Sequence, residues 1–168
     1  MLDRLLHDHQ VIRENAQALL ALLDSETLPP SKLLAETRWK VGSHIMQHLA
    51  FEDRHLYAKL LRDERPEVAE AGRRYQADIA EMFAVYSAHA RHWTADRIAA
   101  DWQTFRIDSK KMTMAMFVRI ELEETELFPF ASDAEIDLAS NAPPAINWAR
   151  EAFAIKDAMM HGLAQHAG

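Results

Sequence analysis

His44-Ile45-Met46-Gln47-His48-Leu49-Ala50-Phe51-Glu52-Asp53-Arg54-His55 is the stretch whose reading decides the fold. Its His44, His48, Glu52 and His55 recur at i, i+4, i+8 and i+11, which on an α-helix confines them to an arc of roughly 80°. Imidazole nitrogens alternating with a carboxylate on one stripe form a donor set that suits iron, zinc or manganese. The competing reading is a solvated polar stripe that happens to be rich in His. Either way the segment is helical, and it lies in a chain that reads as helix on both sides.

Upstream, Leu2, Leu5, Leu6, Ile12, Ala16, Leu19, Leu20 and Leu23 mark one apolar face of a first helix. His9 falls within about 20–30° of the centre of that face, whereas His7 points nearly opposite. Ser25 to Pro30 reads as a turn, with Ser31 as the expected N-cap of a second helix running from about Lys32 to Arg62. This connection sets His9 level with roughly residue 46, beside His48. Pro66 opens a third helix, whose face is Val68, Tyr75, Ile79, Met82, Phe83 and Tyr86. A break is expected near His92–Thr94, with Thr94 capping a fourth helix that continues to Phe128 before Pro129 stops it. A short helical turn is expected over Ser132 to Leu138, and a last amphipathic helix from Ile146 to about His161. The expected architecture is all-α: an up-down-up-down four-helix bundle with an additional C-terminal helix. Residues 1–168 read as a single domain, with the bundle over about 2–130 and a helical extension over about 131–166.

Composition narrows the function. The 168 residues hold 4 Gly and 6 Pro, a balance that favours helix, and no Cys, which excludes disulfides, thiol redox chemistry and iron–sulfur clusters. A net charge of −7 argues against nucleic-acid binding, which needs a basic footprint. No apolar run reaches the length of a membrane span, and MLDRLLHDHQ lacks the apolar core of a signal peptide, so the default address is the cytoplasm. No nucleophile–base arrangement or Gly-rich phosphate loop is legible, and nothing requires an enzymatic role. Met112, Met114 and Met116 do not share one helical face and read as core filler. Glu52 and His55 satisfy a Glu-x-x-His spacing, but the fourth helix has no His to complete the second such motif of a ferritin-like di-iron site.

The run His48-Leu-Ala-Phe-Glu52-Asp-Arg-His-Leu56-Tyr57 resembles the second-helix motif of the hemerythrin-like (HHE cation-binding) family. Asp8-His9 with Ile12 behind it is similar to that family's first-helix motif. Glu123-Glu124-Thr-Glu-Leu127-Phe128-Pro129 is similar to its fourth-helix motif. The resemblance covers roughly Leu2 to Phe130. It implies a non-haem di-iron site bridged by two carboxylates, five His drawn from the four helices, and binding of dioxygen or sensing of oxygen and iron. His9, His48, Glu52 and Glu123 match that pattern.

Two departures bear on it. Arg119 stands four residues before Glu123, where the family places a His, and a guanidinium cannot ligate a metal. The third helix has no His at the expected depth and offers Gln76, Asp78 and Glu70 instead. Two expectations follow. In the first, iron as one or two ions sits on His9, His48, Glu52 and Glu123, with Asp78 as a further ligand and His44 and His55 as substitutes. In the second, Arg119 replaces the metal, and the chain is a metal-free interaction or signalling bundle whose C-terminal helix docks a partner or a second copy, as in a homo-oligomer, or covers one side of the bundle.

Overall fold

In the first helix, α1 (Leu2–Leu23), the buried positions Leu5, His9, Ile12, Ala16, Leu19 and Leu23 repeat at alternating steps of four and three. That rhythm keeps one stripe turned toward neighbouring helices. The computed structural model describes residues 1–132 and 144–163. Most of the short turn expected over Ser132 to Leu138 lies outside the described residues, as does the end of the C-terminal extension.

Second comes α2 (Ser31–Phe51), continued by a π-helical segment (Glu52–Tyr57) and a last α-helical turn (Ala58–Leu60). Pro30 precedes it, and Ser31 is its first helical residue without a side-chain cap. Pro66 opens α3 (Pro66–His92), as its fixed φ and missing N–H favour. The expected single fourth helix is in fact two. Thr94 caps a short helix, Ala95–Ala100, by accepting from the Arg97 N–H, and the chain then leaves helical geometry at Asp101. Asp101 in turn accepts from the Thr104 N–H at 3.1 Å and starts α4 (Trp102–Leu122). The rigid cap of the second piece thus wins over continuity. A π-helical segment (Glu123–Leu127) and a final turn (Phe128–Ala131) extend α4. The described residues contain no strand.

Two apolar clusters fill the bundle. One lies at the N-terminal end of α1 and includes Leu5, Leu49, Leu56, Tyr57, Leu127 and Phe128. The other lies at the opposite end and includes Leu19, Leu23, Leu34, Trp93, Trp102 and Phe105. There Trp102 donates from its indole to the Ser25 carbonyl at 3.1 Å, and Gln103 donates to the Glu26 carbonyl at 2.9 Å, pinning the first turn to the start of α4. A fifth helix, α5 (Trp148–Met160), packs on α2 and α3 through Trp148, Ile155 and Met159. Of the two roles expected for it, its apolar face here covers one side of the bundle.

Gly72 marks the closest approach of α3 to the end of the second helix. A Cβ there would stand 2.8 Å from the Leu60 Cβ, an atom fixed by its own backbone. We expect Gly72→Ala to lower stability in urea denaturation by about 1–2 kcal/mol net, because overpacking outweighs the better helix propensity of Ala. An unchanged or higher midpoint would contradict the tight crossing.

His89, on α3, stacks on Phe105 and shares a hydrogen bond with Ser109 (Nε2 to Oγ, 3.2 Å). Burial first, and the charge of Arg38 second, hold its imidazole down at about 4, while Asp108 pulls the other way. A base with a lowered folded pKa is protonated first in the unfolded chain. Its contribution is therefore complete above about 6.5, the ordinary His value, and is lost as pH falls from there toward about 4. His89→Gln should flatten the fall in unfolding free energy across that window relative to the parent. An equally steep fall would show that His89 is not held neutral.

Candidate metal centre

Both carboxylates of the centre occupy the same special position: Glu52 and Glu123 are each the first residue of a π-helical segment. A π turn accommodates one more residue than an α turn, so the side chains beyond it rotate away from the α-helical stripe, and such turns are frequent at functional sites. His48 precedes the widening and Glu52 opens it, so the two keep their i, i+4 relation on one face. His55 lies within it and leaves the stripe: its ring packs against Phe51 with centroids 4.6 Å apart. Asp53 is turned to the other side. Its carboxylate accepts from the Gln76 amide at 3.2 Å, the Ala145 N–H at 2.8 Å and the Trp148 indole at 3.1 Å. One irregular turn thus presents Glu52 to the interior and ties down the segment that leads into α5.

His9, His48, Glu52 and Glu123 come together in the interior, all buried, each with one donor atom within 4.8 Å of the others. The two imidazoles meet Nε2 to Nε2 at 3.0 Å. Glu123 Oε2 lies 3.3 Å from His9 Nε2 and 4.0 Å from His48 Nε2, and Glu52 Oε2 lies 3.5 Å from His48 Nε2. These separations are within the roughly 4.2 Å that two donors about 2.1 Å from a common ion can span. Glu52 is fully buried, yet neither of its oxygens has a hydrogen-bond partner among the described residues. Burial and the charge of Glu123 push its carboxyl well above the usual carboxylate range, against the pull of His48 and Arg119. For Glu123, burial also acts upward, but the neighbouring His48 and His9 and the charge of Arg119 bring it below its usual value. Burial opposes charge on His48 as well; Glu52, Asp8 and Glu123 outweigh it and raise the imidazole to about 10. The site is built for a positive charge between its donors.

The outer atoms of the two imidazoles face carboxylates. His9 Nδ1 lies 2.8 Å from Glu124 Oε1, and an ionised carboxylate only accepts, so Nδ1 carries the proton and the Nε2 lone pair faces inward. Glu124 is itself clamped by Arg13, whose Nη1 and Nη2 donate to its two oxygens at 2.8 and 3.1 Å. Burial pushes the Glu124 carboxyl up, but Arg13 and His9 together hold it below its usual value. His48 Nδ1 faces Asp8 Oδ2 at 3.8 Å. Phe128 stacks on the His9 ring, with planes 13° apart. The Arg13–Glu124–His9 chain escaped the sequence reading, although Arg13 stands one turn beyond His9 and Glu124 beside Glu123.

Arg119 comes to the opposite side of Glu123. Its Nε donates to Glu123 Oε1 at 2.5 Å and its Nη2 to the Tyr75 carbonyl at 3.0 Å, with the guanidinium over the Tyr75 ring. Oε1 is thereby engaged by Arg119 while Oε2 faces the imidazoles. Asp78, expected as a further ligand, does not join the cluster. It is half exposed and pairs with Arg119 Nη1 at 3.6 Å, because the guanidinium stands between α3 and the four donors. His44, expected as a substitute ligand, is half-buried and also outside the cluster, as is His55. Tyr57 was not singled out from sequence. Its buried hydroxyl has no hydrogen-bond partner among the described residues, and Glu52 and Glu123 act on it electrostatically.

No described helix is long and apolar enough to cross a membrane. No curated protein and no solved structure matches the chain. The model of the hemerythrin HHE cation binding domain does match, over residues 1–131, a span that takes in α1 to α4 and all four inward-facing donors. The chain belongs to the hemerythrin HHE cation-binding family.

Proposed function

We propose that this protein binds a single iron ion through His9 Nε2, His48 Nε2 and one oxygen each of Glu52 and Glu123. The observation that carries the reading is Glu52: a fully buried carboxylate whose two oxygens have no hydrogen-bond partner among the described residues, set among two imidazoles and a second carboxylate. Leaving such a group uncompensated costs several kcal/mol in effective desolvation, a large part of the 5–15 kcal/mol that typically separates folded from unfolded protein. A bound cation offsets that cost. Two nitrogen and two oxygen donors of intermediate hardness suit ferrous iron better than calcium or magnesium, which take oxygen alone. When bound, iron supplies a Lewis acid and a one-electron redox couple.

The chain's own residues divide the remaining work. Glu124, clamped by Arg13, fixes the His9 tautomer so that its Nε2 lone pair faces inward. Arg119 compensates part of the carboxylate charge from the α3 side and takes the room in which a second ion would need a ligand, which supports one ion in place of two. The same arginine favours the alternative of a metal-free bundle, in which its charge alone balances Glu123.

Calorimetric titration of untagged, metal-stripped protein with Fe²⁺ under anaerobic conditions separates the two readings. Saturation near one ion per chain is expected. At a free ion concentration 100 times Kd, the ion should raise the unfolding free energy by about 2.7 kcal/mol. Glu124→Gln, which weakens the outer support and leaves the four donors in place, should lower affinity by about 10–100-fold. No saturable binding, or two equivalent ions per chain, would overturn the proposal.

A further inference from the structure

A second buried polar group is only partly satisfied among the described residues, at the other end of the bundle. Arg38 sits on the inner stripe of α2, between Leu34 and Val41, and is 5% exposed. Its Nη1 donates to the Trp93 carbonyl at 3.0 Å and its guanidinium lies over the Phe105 ring, but Nη2 has no hydrogen-bond partner among the described residues. Burial lowers its pKa only to about 10, so the group is charged at neutral pH. The Tyr86 hydroxyl, close enough for Arg38 to act on it, is also buried and unpartnered. Room for it comes from Gly42, where any Cβ would collide with the hydroxyl oxygen. A lone buried cation costs far more than a paired one, and natural cores pair or solvate it.

Both groups line a cavity of about 160 Å³. It runs between α2, α3 and α4 and has Val85 and Ala115, both exposed, on its wall. Arg38, Tyr86, His89, Ser109 and Thr113 supply its polar side; the charge of Arg38 acts on both Tyr86 and His89, and His89 shares a hydrogen bond with Ser109. Elsewhere the wall is apolar and adaptable, with Met82, Met112 and Met116 among its side chains. A dry cavity of about this size, lined by apolar side chains, is known to hold benzene.

We propose that this cavity binds a small monocarboxylate whose apolar body is about the size of a benzene ring, with its carboxylate on Arg38 Nη2 and the Tyr86 hydroxyl. Charge selects the head. Arginine presents a free N–H donor, the tyrosine hydroxyl adds another, and a carboxylate accepts both. A single negative charge matches Arg38, the single arginine on the cavity wall, whereas a phosphate dianion would leave excess charge in an apolar enclosure. His89, held neutral, adds no second positive charge to attract one. The inference does not depend on the metal: the cavity wall includes none of the four donors of the metal centre.

Benzoate, toluene and acetate, titrated into the full-length protein and followed by methionine-methyl NMR, test the proposal. Benzoate should shift Met82, Met112 and Met116 with a Kd below about 1 mM, and leave the exposed Met114 unmoved. Toluene, which has the ring without the charge, and acetate, which has the charge without the ring, should each bind at least about tenfold more weakly. Arg38→Met should abolish the preference for benzoate over toluene. Tyr86→Phe, which removes only an unpartnered hydroxyl and so spares the fold, should weaken benzoate several-fold. Toluene binding as tightly as benzoate, shifts confined to residues outside the cavity, or undiminished benzoate affinity in Tyr86→Phe would each overturn it.

Discussion

Two imidazoles whose inner nitrogens face each other at 3.0 Å, beside two buried carboxylates, form the constraint on which the rest of this structure depends. The His9 proton is committed outward to Glu124, so its inward nitrogen presents a lone pair. Inside an apolar bundle such a group of imidazoles and carboxylates needs positive charge among its donors, either the proton that His48 holds, its imidazole being raised to about 10, or a cation in its place. Arg119 supplies part of that charge from one side, by gripping Glu123. The carboxylate it does not grip, Glu52, is the one left without a hydrogen bond among the described residues. The asymmetry between the two carboxylates locates where a cation belongs.

The helices carry this arrangement by abandoning regularity where it matters. Both carboxylates begin π-helical turns, and one of those turns also places Asp53 where it binds Ala145 and Trp148. The centre and the C-terminal helix are therefore mechanically connected through adjacent residues. At the far end the bundle makes a different compromise, carrying a charged Arg38 in its core beside a cavity. The two ends thus hold complementary unsatisfied groups among the described residues, acceptor oxygens on Glu52 and a donor N–H on Arg38.

Much of the fold was legible because helical periodicity survives in the sequence: the stripes of α1 and α3 and the punctuation at Pro30 and Pro66 are local signals. His9, His48, Glu52 and Glu123 were legible as a group because regular turns bring His48 and Glu52 to one face and a short connection brings His9 alongside. His55 misled because the spacing argument assumes an α-helix, and the helix widens at Glu52. Asp78 misled because depth along α3 was right but face was not; it points to Arg119 and solvent. The break at Asp101 was missed because Thr94 already offered a sufficient cap. Nothing local announces that Arg38, at an apolar position of its helix, keeps one N–H donor unmatched among the described residues, since that depends on the helices packed around it.

The central claim, that the interior donors hold one iron ion, is tested most directly by the metal content of untagged protein purified under anaerobic conditions without added metal. Mass-spectrometric elemental analysis should find iron approaching one ion per chain in the parent. In Glu52→Gln, which removes the charge of the unpartnered carboxylate and keeps its shape, that content should drop steeply. Metal below about 0.1 ion per chain in repeated parent preparations, or parent and variant loaded alike, would contradict the account.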